Sequence, residues 1–288
     1  MLQSNAPDFD FADTGEGPVI LFLPGSYSTV AAWRPVQRLL RPGLRLVTTS
    51  LCGYGKSAET RTRRDADIRH EVELVEAVAR RVGEPVHLVG HSFGGTVALA
   101  TALAGKIPVA SLSLFEANPL DIIRNDGGGE LYQRTLRMSQ EFEAAVQAAQ
   151  PEAPGLIIDF WGGAGTFAAM PEPVKAYCRG TAQVNVLDWH CDFGFALTPQ
   201  DCSSLQVPVL LVRGALANNA MKAMTTRLAK ALPLARPFVV EGAGHFLISS
   251  HPDACAKLLS SFIDEVLGSP DRSAGHEPSG QVDCKEQR

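Results

Sequence analysis

The residues Gly90-His91-Ser92-Phe93-Gly94 put a serine between two positions that carry no side chain. A serine hydroxyl is inert at neutral pH and becomes a nucleophile only with a base in hydrogen-bond reach. It also needs donors aimed at the charge that develops on its target. Glycines two before and two after suit a sharp strand-to-helix turn, which strains the backbone of its central residue and leaves no room beside it. The pattern alone is weak, but an apolar run, Val86-His87-Leu88-Val89, precedes it and a helix-compatible segment follows. On such a turn the Ser92 hydroxyl stands at the carboxyl edge of a sheet, at the foot of a helix whose free N–H groups favour negative charge.

A base must come from elsewhere in the chain. Of the 7 histidines, His245 lies in Gly242-Ala243-Gly244-His245-Phe246, a glycine-rich turn just after the last expected strand, where it can be presented at the same edge. His91, although adjacent to the serine, is expected to point elsewhere on the turn. His87 on a core strand and His70 on a helix face are read as structural.

These residues need a scaffold, and the hydrophobic pattern supplies one. Short apolar runs, expected as strands at 19–23, 45–49, 86–89, 111–115, 207–212 and 238–240, alternate with amphipathic stretches at 67–82, 92–104, 220–232 and 252–267. That alternation builds a mostly parallel sheet with crossover helices on both faces, an α/β class of fold. In the 67–82 stretch Ile68, Val72, Val75, Ala79 and Val82 recur at spacings of three and four, and Gly83 followed by Pro85 stops it. The interval 118–205 is far longer than a crossover requires and is read as an inserted helical cap. It opens at Gly127-Gly128-Gly129, runs as helix over 130–150 to Pro151 and Pro154, and then concentrates aromatics from Phe160 to Phe195. The division expected is therefore a core of 1–117 and 206–267, a cap of 118–205, and a polar tail of 268–288 too poor in apolar residues to pack.

Composition narrows the class of function. The chain has 288 residues, 45% of them hydrophobic and 20% charged, with a net charge of −5. That balance offers no electrostatic footprint for nucleic acid or an anionic membrane. No apolar stretch approaches the ~20 residues of a membrane-spanning helix, and the polar, acidic start is unlike a secretory leader. The expectation is a cytoplasmic protein acting on a small molecule, with its oligomeric state left open. The 6 cysteines show no C-x-x-C spacing and are read as buried small hydrophobes rather than metal ligands. No metal or organic cofactor is signalled. Gly55-Lys56-Ser57 lacks the preceding glycine of a phosphate loop, because Ser50 stands there. Arg61-Thr62-Arg63-Arg64 reads as a solvated loop before an acidic helix.

Taken together, the turn around Ser92, the Leu23-Pro24-Gly25-Ser26 segment ending an early strand and Ser50-Leu51-Cys52-Gly53-Tyr54-Gly55-Lys56-Ser57 resemble the α/β-hydrolase fold superfamily over about residues 9–267. Pro24 stands where that family usually has histidine, and Ser50 where it usually has aspartate. The resemblance implies oxyanion donors at the backbone N–H of Phe93 and of Ser26, with Tyr27 as fallback. In the family's most frequent layout the acid that orients the histidine would fall at Ala217, which cannot serve. A minority of the family carries its acid after the preceding core strand, and that position is Glu116; Asn218 and Asp192 are weaker substitutes. Tyr27, Trp161 and Trp189 are expected to wall the substrate pocket.

The expectation is a serine hydrolase of carboxylic-ester type that cleaves a small, largely apolar ester or related carbonyl compound through an acyl-enzyme. Ser92 would act as nucleophile, His245 as base and Glu116 as acid. A carbon–carbon bond hydrolase of diketone-like substrates on the same fold is the alternative. The missing acid at Ala217 also leaves open a ligand-binding protein on a decayed hydrolase fold.

Overall fold

Val19–Leu23 form a strand (β2) in which every residue is buried, as a continuous apolar run must be when both faces of a sheet are covered. In the computed structural model, which describes residues 9–83, 85–124 and 128–268, six further strands join it. They are β1 (Phe11–Thr14), β3 (Arg45–Thr49), β4 (Val86–His91), β5 (Val109–Phe115), β6 (Val209–Gly214) and β7 (Ala235–Val240). The order is β1-β3-β2-β4-β5-β6-β7. Only β1 pairs antiparallel; every other neighbouring pair is parallel.

Alternate residues of the strands feed two cores. Ile20, Phe22, Val89, Phe115 and Leu210 pack with Trp33 and with Phe262 of the Pro252–Val266 helix. Leu21, Leu88, Leu112 and Leu211 face the Arg69–Val82 and Phe93–Ala104 helices on the other side. The Arg69–Val82 helix ends at Gly83 with φ 74, a left-handed conformation that glycine adopts at no steric cost.

Between β5 and β6 lie the helices Gly129–Gln147, Ala153–Gly162, Glu172–Gly180, Ala182–Gly194 and Pro199–Ser204. The first of them ends at Gln147, before Pro151, with Ala149 at φ 52. Gly127 and all of the expected tail except Gly268 lie outside the described residues. The strand expected at 238–240 starts earlier, at Ala235. It is the edge strand, and within it only Val240 is buried, so no alternation of buried and exposed residues marks its length. Among the described residues no helix is long and apolar enough to cross a membrane.

One expectation is overturned. Arg61 is not solvated: the bridge between Thr62 and Asp65 turns the chain there, and the Arg61 guanidinium is fully buried. Its neighbour Arg63 remains half exposed and pairs with Glu143. In the sequence the four residues form one polar run, whereas the turn sends them to different environments.

Candidate active site

Ser92 follows β4 and opens the Phe93–Ala104 helix with φ 53 and ψ −128. A non-glycine residue in that region is strained, and such strain persists only where the surroundings enforce it. The surroundings here are close contacts. A Cβ on Gly90 would lie 2.3 Å from the carbonyl oxygen of Gly94, and one on Gly94 would lie 2.2 Å from that of Pro24. Both glycines of the motif are therefore required by backbone packing. The Ser92 N–H donates to the Phe115 carbonyl at 3.0 Å, which ties the turn to the end of β5.

His245 reaches the same place from the loop after β7. Its Nε2 lies 3.0 Å from Ser92 Oγ, and its Nδ1 lies 3.1 Å from Glu116 Oε2. Glu116 directly follows β5 with φ 50, again a strained non-glycine position. Its other oxygen, Oε1, accepts from the Gly214 N–H at 2.6 Å, and its own N–H donates to the Val212 carbonyl at 2.8 Å. The carboxylate is thus held by the end of β6, with one oxygen left for the imidazole. A Cβ on Gly214 would meet the Ala243 carbonyl oxygen at 2.2 Å, so only glycine lets the histidine loop come this close.

His245 Nδ1 is taken by Glu116, and the two weaker substitutes for the acid bond to other groups. Asn218 caps the Asn219–Ala231 helix, accepting from the Met221 N–H at 2.9 Å, and donates to the Phe160 carbonyl at 3.0 Å. Asp192 accepts from Asn118 Nδ2 at 3.0 Å. Ala217 is buried in the turn after β6.

A small cavity of about 50 Å³ opens onto the serine. Ser26, Tyr27, Ser92, Phe93 and His245 line it from the sheet edge; Trp161, Trp189, Asp188 and Asp192 line it from the helical insertion. All the site residues expected from the sequence meet here except Glu116, which lies behind His245. Trp161 stacks on the His245 ring at 5.2 Å between centroids and runs parallel to Trp189 at 6.2 Å. Phe93 is the first residue of its helix, so its N–H has no carbonyl a turn back to bond. Gly25 brings the Ser26 segment against the nucleophile: a Cβ there would stand 3.0 Å from Ser92 Cβ.

Several participants carried no signal in the sequence. His91 does turn away from the serine, as expected, but its Nε2–H donates to the His245 carbonyl at 2.8 Å and its ring packs 5.1 Å from that of His245. Burial pushes its pKa down to about 3, with the neighbouring His245 adding to the effect. It is therefore a neutral prop under the histidine loop. Asp188, on the Ala182–Gly194 helix, gathers Ser26 Oγ at 2.5 Å, Tyr54 Oη at 2.7 Å and Arg61 Nη1 at 2.7 Å. Arg61 also pairs with the buried Glu71 at 3.0 Å and with Glu59 at 2.8 Å. Burial raises the carboxyls of Asp188 and Glu71, the latter to about 7, while Arg61 opposes the rise in both. The cluster fastens the insertion to the core and holds the Ser26 side chain. Asp188 lies 127 residues from Arg61, so only their meeting reveals it.

His87 and His70 lie apart from the site: His87 Nδ1 meets Ser111 Oγ at 2.8 Å, and His70 faces Thr60 and Asp65. Among the described residues, Cys52, Cys178, Cys191, Cys202 and Cys255 are buried free thiols.

Residues 20–258 match the model of an alpha/beta hydrolase family. The pimeloyl-[acyl-carrier protein] methyl ester esterase of Aeromonas hydrophila is 27% identical over 86% of this chain and 96% of its own length. The 2-(acetamidomethylene)succinate hydrolase of Mesorhizobium japonicum is 27% identical over 88% of this chain and 90% of its own. Among solved structures, MenH from S. aureus superposes with a TM-score of 0.73 at 17% identity, covering 90% of this chain and 99% of that one.

Proposed function

Because the chain belongs to the alpha/beta hydrolase family, we propose that it is a serine hydrolase that cleaves a small, largely apolar ester through an acyl-enzyme. The observation that carries this reading is the unbroken relay from Ser92 Oγ to His245 Nε2 at 3.0 Å and from His245 Nδ1 to Glu116 Oε2 at 3.1 Å. A base in contact with the hydroxyl and a carboxylate in contact with the base are what nucleophilic activation requires.

In the proposed reaction Ser92 Oγ attacks the ester carbonyl while His245 Nε2 takes its proton. Glu116 fixes the tautomer with the proton on Nδ1 and faces the imidazolium that forms. The backbone N–H groups of Phe93 and Ser26 hold the developing oxyanion. His245 then returns the proton to the departing alcohol, and a water, activated in the same way, releases the acid. The helical insertion acts as a cap, with Trp161, Trp189 and Tyr27 giving the cavity its apolar walls. The esterase and hydrolase relatives, alignable over most of their length, support the same class of reaction.

A fluorophosphonate probe tests this reading. The protein is expected to label at one serine, and Ser92→Ala is expected to lose both labelling and turnover of p-nitrophenyl butyrate. Labelling that survives in Ser92→Ala, or a folded wild type that neither labels nor turns over, overturns it.

A further inference from the structure

The proposed ester hydrolysis accounts for the apolar walls of the cavity but leaves two buried polar atoms idle. Asp192 Oδ2 accepts from Asn118, whose own Oδ1 accepts from Thr96 Oγ1 at 3.4 Å. Asp192 Oδ1 makes no well-formed hydrogen bond, with only the Leu120 N–H acting on its carboxyl, and the hydroxyl of Tyr27 has no partner. Both residues line the cavity that opens onto Ser92. Buried polar groups without a partner cost stability, and in native proteins they mark a functional role or the place of a bound water or ion. Asp188, on the same wall, differs: Ser26, Tyr54, Asn185 and Arg61 use both of its oxygens.

Resting on the esterase reading, we infer that Asp192 and Tyr27 form a subsite for a second, uncharged oxygen of the substrate, a ketone or ether oxygen set apart from the scissile ester. Burial raises the carboxyl of Asp192, against the Leu120 N–H that lowers it, and the hydroxyl of Tyr27 well above their usual ranges, which favours the O–H form of each. Two donors and no lining Lys or Arg match a neutral acceptor. A carboxylate brought to the same place would lose its water without meeting a cation, beside the carboxyls of Asp188 and Asp192. The substrate class is therefore a small ester bearing one additional neutral oxygen, and its free-acid counterpart is rejected.

The test compares kcat/KM for p-nitrophenyl levulinate and p-nitrophenyl valerate, which differ by one ketone, and for the mono-p-nitrophenyl ester of glutaric acid. The wild type is expected to prefer levulinate over valerate by about tenfold and to disfavour the glutarate by at least a similar factor. In Asp192→Leu the levulinate-to-valerate ratio is expected to fall towards one. In Asp192→Asn it is expected to persist, because the carboxamide can accept from Asn118 and still offer an N–H to the ketone. Should Asp192→Leu fail to fold, Tyr27→Phe reads the other donor and is expected to lower the ratio severalfold. A wild type that hydrolyses both esters without preference overturns the subsite and leaves the esterase standing. A preference that survives in folded Asp192→Leu, or is unchanged in Tyr27→Phe, also overturns it. No turnover of either ester by the wild type overturns the esterase reading and the subsite with it.

Discussion

Glu116→Gln isolates the acid of the proposed relay with almost no change of shape. Glu116 Oε1 accepts from the Gly214 N–H at 2.6 Å, so a glutamine will keep its carbonyl oxygen there and turn its amide nitrogen towards His245 Nδ1. Two donors then face one another, and the imidazole must carry its proton on Nε2, where it cannot accept one from Ser92. The charge term can be sized from the structure. Glu116 and His245 are both buried, with side-chain exposures of 0% and 4%. At a charge separation of ~4 Å and an effective dielectric of ~20, the carboxylate favours the imidazolium by about 4 kcal/mol. That corresponds to a loss on the order of 10³-fold in kcat. The assay is steady-state hydrolysis of p-nitrophenyl butyrate, with active sites titrated and folding checked by thermal melting. KM should move little, because the interaction strengthens only as the imidazolium forms. A folded variant that keeps more than a tenth of wild-type kcat would refute the assignment of Glu116.

Two further predictions concern the support around the site. Arg61→Met should leave Asp188 and Glu71 buried without their cation and cost about 3–5 kcal/mol in urea denaturation at neutral pH; a loss below about 1 kcal/mol would mean that the cluster is dispensable. His91, with its pKa lowered to about 3, binds a proton more readily in the unfolded chain than in the native one. Its contribution is complete above the unfolded value of about 6.5 and is lost as the pH falls, at up to 1.36 kcal/mol per pH unit. Between pH 6.5 and 5 that is about 2 kcal/mol. His91→Gln should therefore flatten the acid limb of the stability profile, and an unchanged slope would count against a neutral, buried His91.

Much of the architecture was legible because it depends on local pattern. Continuous apolar runs marked β2, β4 and β6, and the three-and-four spacing of Val72, Val75, Ala79 and Val82 marked a helix that ends at Gly83. The edge strand β7 was legible only in part, since solvent on its outer side removes the constraint that makes a run apolar. The burial of Arg61 is hidden from the sequence for a related reason. The charges that justify its burial come from Glu71, on the following helix, and Asp188, 127 residues away.

What the sequence by itself determined is the scaffold and the two ends of a possible proton relay. Glycines two before and two after Ser92 dictate a turn that few other residues could make, and a glycine-rich loop after the last strand frees His245 to reach it. What the tertiary structure decided is which carboxylate meets that histidine and what faces the substrate. Glu116 serves as partner only because β5 lies beside β6, so that the Gly214 N–H can hold one of its oxygens and aim the other. Asp188 and Asp192 sit one helical turn apart yet differ in kind, one saturated by a buried arginine and the other with an oxygen that makes no well-formed hydrogen bond. Such differences arise from partners brought together across the chain, and no local pattern encodes them.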